Sequence, residues 1–326
     1  MRSAARDRVG RSIDYLRISI TDRCNERCVY CMPGGYKGWT QRSAHLSADE
    51  IIDVVRSAAA MGFRHFRITG GEPLLRDDVV SICRGIRAVA PDASLGLSTN
   101  GLLLSRFAND LKDAGVDSVN VSLDALQPGV YRIITGGDVA RVLEGIAAAV
   151  RVGFSSVKLN CVLLRGTNET EILKLAGFAG EIGTPIRFIE LMPLSETTGQ
   201  MEPRFLPISE VRRILEANGP LVPLGDFQVG HGPAKYFRHG SSGAVVGLIG
   251  AISDPHFCES CNKLRLTADG RVRPCLGRDG EIALDREALT AQSISNVLEA
   301  AIGAKPENHG FHGDYLPNRP MTAIGG

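Results

Sequence analysis

Short β-rich runs alternate with amphipathic helical patterns through the first two-thirds of the chain. Six of these runs, each bounded by turn residues, are interpreted as strands; they span 15–21, 65–72, 94–101, 118–124, 156–164 and 185–192. Helical patterns follow them near 47–62, 78–90, 105–114, 139–152, 169–182 and 209–217. In the first helix, Ser47 and Glu50 predict a capping box and Gly62 predicts the end.

The strand–helix alternation predicts an α/β fold with parallel strands and right-handed crossovers. A doubly wound sheet and a βα barrel would both satisfy it. Chemically unusual segments follow the strands, namely a cysteine loop, GGEP, STNG, SLD, KLN and ELM. Because the active sites of βα barrels lie at the carboxyl ends of the strands, this placement favours the barrel. The pattern changes after Met192, and we expect two domains, residues 1–200 and 201–326.

The composition is that of a soluble globular protein, since 44% of the residues are hydrophobic and 22% are charged. The net charge of +1 gives no indication of a nucleic acid or membrane partner. No apolar run is long enough to span a membrane, and the N-terminus lacks a signal-peptide pattern, so we expect a cytoplasmic protein. Its eight cysteines are then expected to be reduced. Cys83 and Cys161 lie alone in apolar patterns and are expected to be buried.

Three cysteines, Cys24, Cys28 and Cys31, lie within eight residues directly after the first predicted strand. Thiolates at this spacing can hold three irons of a cubic [4Fe–4S] cluster and leave the fourth iron without a protein ligand. An open coordination position is typical of a reactive metal site, whereas a structural site is closed. The alternatives are a zinc site that lacks one ligand and a pair of thioredoxin-like redox cysteines.

A second trio, Cys258, Cys261 and Cys275, lies near the other end of the chain. It predicts a second cluster with its own open iron, which could bind a substrate. The alternative is a closed zinc site in which His256 or Glu259 supplies the missing ligand.

The cysteine loop CNERCVYC together with GGEP resembles the radical S-adenosylmethionine (radical SAM) superfamily. The resemblance implies that the open iron of the first cluster binds S-adenosylmethionine and that the reduced cluster cleaves it to a 5′-deoxyadenosyl radical. It also implies that Tyr30 packs near the adenine and that Gly70, Gly71 and Glu72 contact the methionine amino group. Ser122 and Met192 match positions that line this cofactor site.

Longer motifs narrow the resemblance to the GTP 3′,8-cyclases of molybdenum cofactor biosynthesis; they are ITDRCNERCVYCMP, RFIELMPL, FCESCNKLRLTADGRVRPCL and the terminal IGG. The implied fold is a partial (βα)6 parallel barrel with a C-terminal extension that carries the second cluster. GTP would bind between the clusters with its guanine on the open iron of the second. The radical would remove hydrogen from ribose C3′, and the C3′ radical would attack guanine C8.

Basic residues within the predicted strands are candidates for the GTP site, because a triphosphate needs fixed cations and unpaired buried charge is costly. The resemblance implies that these and neighbouring residues contact GTP: Arg17, Arg67, Ser98, Lys158, Arg187, Lys263, Leu264 and Arg265. Two of them depart from the family pattern, which usually has arginine in place of Lys263 and threonine in place of Ser98.

The chain ends in Gly325 and Gly326, which by themselves predict only a flexible end. The resemblance implies instead that this tail enters the active site, where the catalytic set would be the first cysteine trio, Arg17 and the two glycines. It further implies an electron donor such as flavodoxin or ferredoxin, a downstream cyclic pyranopterin monophosphate synthase and a possible homodimer.

Two other functions fit parts of the sequence. A peptide-modifying radical enzyme would have a similar first trio, but that class usually has more C-terminal cysteines and often an N-terminal peptide-recognition domain. A non-enzymatic zinc or iron–sulfur module would explain the cysteines, but it would leave GGEP and the strand arginines unexplained.

Overall fold

The computed structural model describes residues 5–32, 36, 38–194, 202–225, 227–311, 315 and 317–325. The strands are β1 (Ala5–Arg6), β2 (Ser12–Ile13), β3 (Tyr15–Ser19), β4 (His65–Thr69), β5 (Ser94–Thr99), β6 (Ser118–Ser122), β7 (Ser156–Val162), β8 (Ile186–Ile189), β9 (Leu221–Pro223), β10 (Lys235–His239), β11 (Val245–Ile249), β12 (Lys263–Leu266), β13 (Arg271–Arg273) and β14 (Ile282–Ala283). The helices are α1 (Ala48–Ala60), α2 (Val79–Val89), α3 (Leu104–Asp113), α4 (Pro128–Thr135), α5 (Val139–Val152), α6 (Ile172–Glu181), α7 (Ile208–Glu216), α8 (Ala291–Gly303) and α9 (Met321–Ile324).

The six predicted strands are confirmed as β3 to β8, which lie side by side in chain order and pair in parallel. All six end two or three residues earlier than predicted, and the GGEP and ELM motifs follow directly after β4 and β8. Alternate side chains of β3 face opposite sides. Leu16 and Ile18 lie in the hydrophobic core, whereas Tyr15 and Arg17 line a cavity on the other face.

The C-terminal part of the chain extends this sheet at both edges. β12 pairs in parallel with β3, and β11 pairs in parallel with β8. Antiparallel strands follow on each side, which gives the order β14-β13-β12-β3-β4-β5-β6-β7-β8-β11-β10-β9. Among the described residues the two ends of this sheet are not paired with each other, so the barrel is partial, as predicted. The predicted domain boundary at residue 200 lies outside the described residues and stays a prediction.

The helices cover the outer face of the sheet. The predicted capping box of α1 is confirmed, since Ser47 Oγ accepts from Glu50 N (3.2 Å) and Glu50 Oε2 accepts from Ser47 N (2.7 Å). Helix α4 was not predicted; it begins at Pro128, whose ring favours the first helical turn, and ends before Gly136, which has a φ of +70°. In the described part of the chain no helix is long and apolar enough to cross a membrane.

Cys83 and Cys161 are fully buried in the core, as predicted. All eight cysteines carry free thiols. The core lies on the outer face of the parallel sheet, between the sheet and α1 to α6, and continues to the C-terminal helix α8. The inner face of the sheet and the carboxyl ends of its strands therefore carry the polar side chains, such as Arg67, Lys158 and Arg187.

Candidate active site

One cavity lies at the carboxyl ends of the parallel strands. The predicted site residues that line it are Arg17, Cys24, Cys28, Tyr30, Cys31, Arg67, Gly70, Gly71, Ser98, Ser122, Lys158, Arg187, Met192, Lys263 and Arg265. Because β3, β6 and β8 all contribute to this one cavity, the sheet curves around it. Glu72, Leu264, Gly325 and the second cysteine trio are not among its lining residues, and Gly326 lies outside the described residues.

The loop that carries the first cysteine trio follows β3 and is braced by α4. Its backbone donates from Arg27 N to Thr135 O (2.8 Å) and from Val29 N to Ile134 O (2.9 Å). The three thiols are half-buried and line the cavity. Burial raises the pKa of the Cys24 thiol to about 12, so a bound cation such as iron is needed to displace its proton.

A glycine turn holds this loop from the neighbouring strand. Gly71 N donates to Thr21 O, and Glu72 N donates to Arg23 O, both at 2.7 Å. A Cβ atom on Gly71 would lie 2.3 Å from Arg23 O, and one on Gly70 would lie 2.6 Å from Thr21 O. Only glycine fits this close approach, which leaves the backbone of the turn open to the cavity.

The Glu72 side chain is fully buried and does not line the cavity. Its carboxylate accepts hydrogen bonds from Leu74 N (3.0 Å), Thr99 Oγ1 (2.8 Å) and Asn100 N (2.7 Å). Its side chain therefore positions the ends of β4 and β5, and any direct contact of Glu72 with the cofactor would come from its backbone.

Tyr30 is held at the wall of the cavity by a buried carboxylate. Its hydroxyl donates to Asp124 Oδ2 (2.7 Å), and Asp124 Oδ1 accepts from Val162 N (2.8 Å). Burial raises the pKa of Asp124 to about 6. Ser122 and Met192 line the same part of the cavity. The predicted positions for S-adenosylmethionine are thus brought together around the first trio.

Cations from separate strands converge on the other half of the cavity. Arg67 is fixed by its Nε–H to Tyr15 Oη (2.6 Å) and by Nη1 to Leu97 O (2.9 Å). Arg187 Nε donates to Asn160 Oδ1 (2.8 Å). Within the described ranges, Arg67, Lys158 and Arg187 form no ion pair with a carboxylate although all three are buried. Such a group of cations favours an anionic ligand.

The buried cations repel one another, and this repulsion is visible at Lys158. Burial, together with the charges of Arg67 and Arg187, lowers the pKa of its ammonium to about 7. Lys263 and Arg265 extend the cationic surface from β12, whereas the Leu264 side chain between them points into the core with no exposed area. The predicted contact of Leu264 with substrate can therefore involve only its backbone.

The second cysteine trio flanks β12. The zinc alternative is not supported, because His256 Nδ1 bonds instead to Glu259 Oε1 (2.6 Å) and both side chains are exposed. No group of three or more His, Cys, Asp or Glu in the described residues is arranged for a single metal ion. Burial alone would raise the pKa of Cys261, but the ammonium groups of Lys305 and Lys263 hold that pKa below its usual value. Thiols beside fixed cations fit an anionic iron–sulfur cluster.

The C-terminal tail reaches the strand ends, but Gly325 does not line the cavity, and its place in the active site stays a prediction. Arg265 Nη1 donates to Gly325 O, and Met321 and Thr322 line the cavity. A Cβ on Gly325 would lie 2.9 Å from Ser19 Cβ and 3.0 Å from Thr69 Cγ2. Arg319 anchors the tail through ion pairs with Asp269 and Glu281, both at 3.0 Å.

Some supporting residues were not predicted. Glu190 is fully buried and accepts hydrogen bonds from Ile208 N (2.8 Å) and Ile252 N (2.8 Å), so it fixes the segment that leads to the second trio. A single acidic residue in the apolar run FIELM was the available signal. His65 stacks on His231, which lines the cavity, with the ring centroids 3.4 Å apart. Because they are distant in sequence, no spacing rule could pair them.

Two family models match the chain in sequence. The Radical SAM superfamily model matches residues 18–179, and the Molybdenum Cofactor Synthesis C model matches residues 184–311. The proteins named GTP 3′,8-cyclase from Petrotoga mobilis, Pelotomaculum thermopropionicum and Moorella thermoacetica are 40%, 43% and 41% identical to this chain. Each match covers 98% of this chain and 99% of the relative.

Solved structures with the same fold are more distant in sequence. Streptococcus suis SuiB bound to S-adenosylmethionine has a TM-score of 0.63 at 16% identity, over 83% of this chain and 63% of its own. Native anSMEcpe with bound AdoMet has a TM-score of 0.56 at 16% identity, over 91% and 82%. At these identities the likeness shows the fold alone.

Proposed function

Since this chain belongs to the GTP 3′,8-cyclase family within the radical SAM superfamily, we infer that it converts GTP to (8S)-3′,8-cyclo-7,8-dihydroguanosine 5′-triphosphate. This is the first step of molybdenum cofactor biosynthesis, and the match to the Molybdenum Cofactor Synthesis C family agrees with it. The observation that carries this inference is the cavity itself, which combines three thiols for a cluster with buried cations for a triphosphate.

The first trio is proposed to hold one [4Fe–4S] cluster and the second trio to hold another. When bound, the first cluster would supply the electron that cleaves S-adenosylmethionine to methionine and a 5′-deoxyadenosyl radical. That radical would take the hydrogen of ribose C3′, C3′ would bond to guanine C8, and one further electron from the reductant and one proton would complete the product. The chain's own residues bind and orient the reactants. Tyr30, Ser122 and Met192 form one wall for the cofactor.

The substrate is proposed to lie between the two trios. The triphosphate would contact the cations of β3, β4, β7 and β8. Arg67, Lys158 and Arg187 are buried and, among the described residues, form no ion pair with a carboxylate. The guanine would face β12, which leads from the second trio. Holding both reactants in one orientation is the main contribution that a protein makes to such a reaction.

Water exclusion is the second task of the chain. The tail residues Met321 and Thr322 and the loop around His231 line the cavity and limit its access to solvent. Lys263 Nζ donates to His231 O (3.0 Å), which ties this loop to β12. A closed cavity would protect a carbon radical from side reactions with solvent.

The test is to reconstitute the full chain anaerobically with iron and sulfide, reduce it with dithionite and add S-adenosylmethionine with or without GTP. Mass spectrometry should detect 5′-deoxyadenosine and an isomer of GTP, and GTP should strongly stimulate 5′-deoxyadenosine formation. 5′-Deoxyadenosine that is indifferent to GTP would refute the substrate. Fully iron-loaded protein that forms none would refute the radical chemistry, and a Cys24→Ala variant provides the inactive control.

GTP affinity is expected to depend on pH through Lys158. Its pKa of about 7 lies below the ordinary value because of burial and the neighbouring arginines, and a bound triphosphate would raise it again. Binding should therefore take up a proton at and above pH 7, and affinity should fall by up to about tenfold per pH unit as the pH rises above 7. Below pH 7 the ammonium is already charged in the free protein, so this dependence should fade.

Isothermal titration calorimetry in two buffers of different ionisation enthalpy measures this proton uptake directly. Lys158→Arg is the matched control, because an arginine stays protonated throughout this range. Equal proton uptake by the wild type and by Lys158→Arg would rule out Lys158 as the group that titrates.

The remaining parts of the functional assignment are proposals about partners. An electron donor such as flavodoxin or ferredoxin would reduce the first cluster, and a cyclic pyranopterin monophosphate synthase would consume the product. A homodimer is proposed on the family resemblance. The cytoplasm is the proposed compartment because eight free thiols and two clusters require a reducing environment.

A further inference from the structure

A buried ammonium group lies beside the second cysteine trio. Lys305 follows the end of α8 and is only 5% exposed. Its Nζ donates to Lys263 O (2.7 Å) and Pro274 O (2.9 Å). Within the described part of the chain it forms no ion pair with a carboxylate. Carbonyl groups satisfy its hydrogen bonds but do not neutralise its charge, and an uncompensated buried charge is strongly unfavourable.

The two carbonyls belong to the segments that carry Cys261 and Cys275. Pro274 directly precedes Cys275, and Lys263 lies two residues after Cys261. The Lys305 ammonium therefore links the segment that carries Cys261 to the segment that carries Cys275, across the β12–β13 pair. The Cys261 thiol is close enough to interact with Lys305 electrostatically. Among the described residues, the thiolates and what they bind are thus the source of the negative charge that Lys305 needs.

The segment after Lys305 is fixed to the backbone around Cys258, the third cysteine of the trio. Arg11 donates to Pro306 O (2.5 Å), Glu307 O (2.9 Å) and Cys258 O (2.9 Å). Arg11 is itself held by an ion pair with Asp7 at 2.6 Å. His309 N lies 3.4 Å from Cys258 Sγ and donates to it. Residues 305–309 therefore reach all three cysteines from one side.

We propose that Lys305 is a positioning residue of the second cluster, whose fixed positive charge balances the thiolate charge and raises the cluster's reduction potential. Reduction adds one negative charge to the cluster, and a cation at short range in dry surroundings stabilises the reduced form. The inference rests on the second trio holding a cluster, as proposed above, but it does not require GTP to be the substrate.

The experiment uses the full chain with Cys24, Cys28 and Cys31 replaced by alanine, so that only the second cluster contributes iron and signal. Its midpoint potential is followed by electron paramagnetic resonance during redox titration. Lys305→Met should lower the reduced-to-oxidised ratio at a fixed potential by about tenfold, a shift of about 59 mV to more negative values. Lys305→Arg keeps the charge and should retain most of the potential. Lys112→Met, which removes a half-buried lysine of α3 that donates to Gly153 O, should leave it unchanged.

A Lys305→Met variant with full iron and an unchanged potential would overturn the proposal. If Lys305→Met binds no iron, Lys305→Gln replaces it, because glutamine can still donate to both carbonyls but carries no charge. A normal potential in Lys305→Gln would also overturn the proposal. If neither variant binds iron, far-UV circular dichroism of the metal-free chains decides: a native spectrum supports the cluster role, and an unfolded one overturns it. Wild type without iron in the second site would instead refute the proposed second cluster.

Discussion

Replacing Gly71 by alanine should remove the first iron–sulfur site and reduce 5′-deoxyadenosine formation by on the order of 100-fold or more. The new Cβ would lie 2.3 Å from Arg23 O, which is a backbone atom that no side-chain rotation can move. The turn and the cysteine loop must therefore separate, and the hydrogen bonds of Gly71 N and Glu72 N are lost or lengthened. Since this loop positions Cys24, Cys28 and Cys31, all three iron ligands are displaced together.

Iron and sulfide analysis checks this prediction together with the 5′-deoxyadenosine assay. Iron should fall from the content of two clusters towards that of one, because the second trio lies on distant elements. Gly177→Ala in α6 is the matched control, since a Cβ there meets nothing within 4 Å. Gly71→Ala protein with full iron and a normal rate would show that the turn does not support the cluster.

Replacing Gly325 by alanine should separate product formation from cluster assembly. Gly325 has a φ of +86°, and a Cβ would press against Ser19 and Thr69 at 2.9 and 3.0 Å. The tail would withdraw, and Arg265 would lose the Gly325 carbonyl that fixes its guanidinium. We expect the GTP isomer to decrease by about 100-fold, the scale typical of a misplacement of about 1 Å in an active site. Iron content should fall much less than this, because the cysteine loop keeps its hydrogen bonds to α4 and to the Gly71 turn and loses that from the Thr322 backbone to Cys31.

The rate of GTP isomer formation per iron-loaded chain is the measurement. Gly153→Ala is the appropriate control, because Gly153 also has a positive φ (+74°) but a Cβ there would meet nothing within 4 Å. It carries the backbone strain of the substitution without displacing the tail. Equal losses in both variants would attribute the effect to strain alone and argue against an active-site role for the tail.

Local sequence information was sufficient for the parallel core of the fold. Each of β3 to β8 is a compact apolar run, and its crossover helix has its own amphipathic pattern, so neighbours in sequence become neighbours in space. Both cysteine trios and the strand cations could be identified because their chemistry is unusual for their positions. The convergence of Arg17, Lys158 and Arg187 on one cavity follows from strand alternation once the sheet curves.

Long-range pairing could not be predicted in the same way. The run VVGLI (β11) has the pattern of many strands, and nothing near it in sequence indicates that it pairs with β8. The direction of the Leu264 side chain also depends on long-range pairing. A motif suggested that Leu264 contacts substrate, but alternation along β12 directs its side chain into the core. The buried Lys305 looks like an ordinary helix-end lysine until its two carbonyl partners are seen.

The pairing of β12 with β3 has a consequence for synthesis of the protein. Tyr15 lies opposite Lys263, and the roughly 250 residues between them take about 12 to 50 seconds to translate at about 5 to 20 residues per second. During that time the strand that leads into the first cysteine loop has one open edge. Cys258 and Cys261 emerge just before β12 does. β3, which leads into the first cysteine loop, therefore gains its second neighbouring strand only after Cys258 and Cys261 of the second trio have been translated.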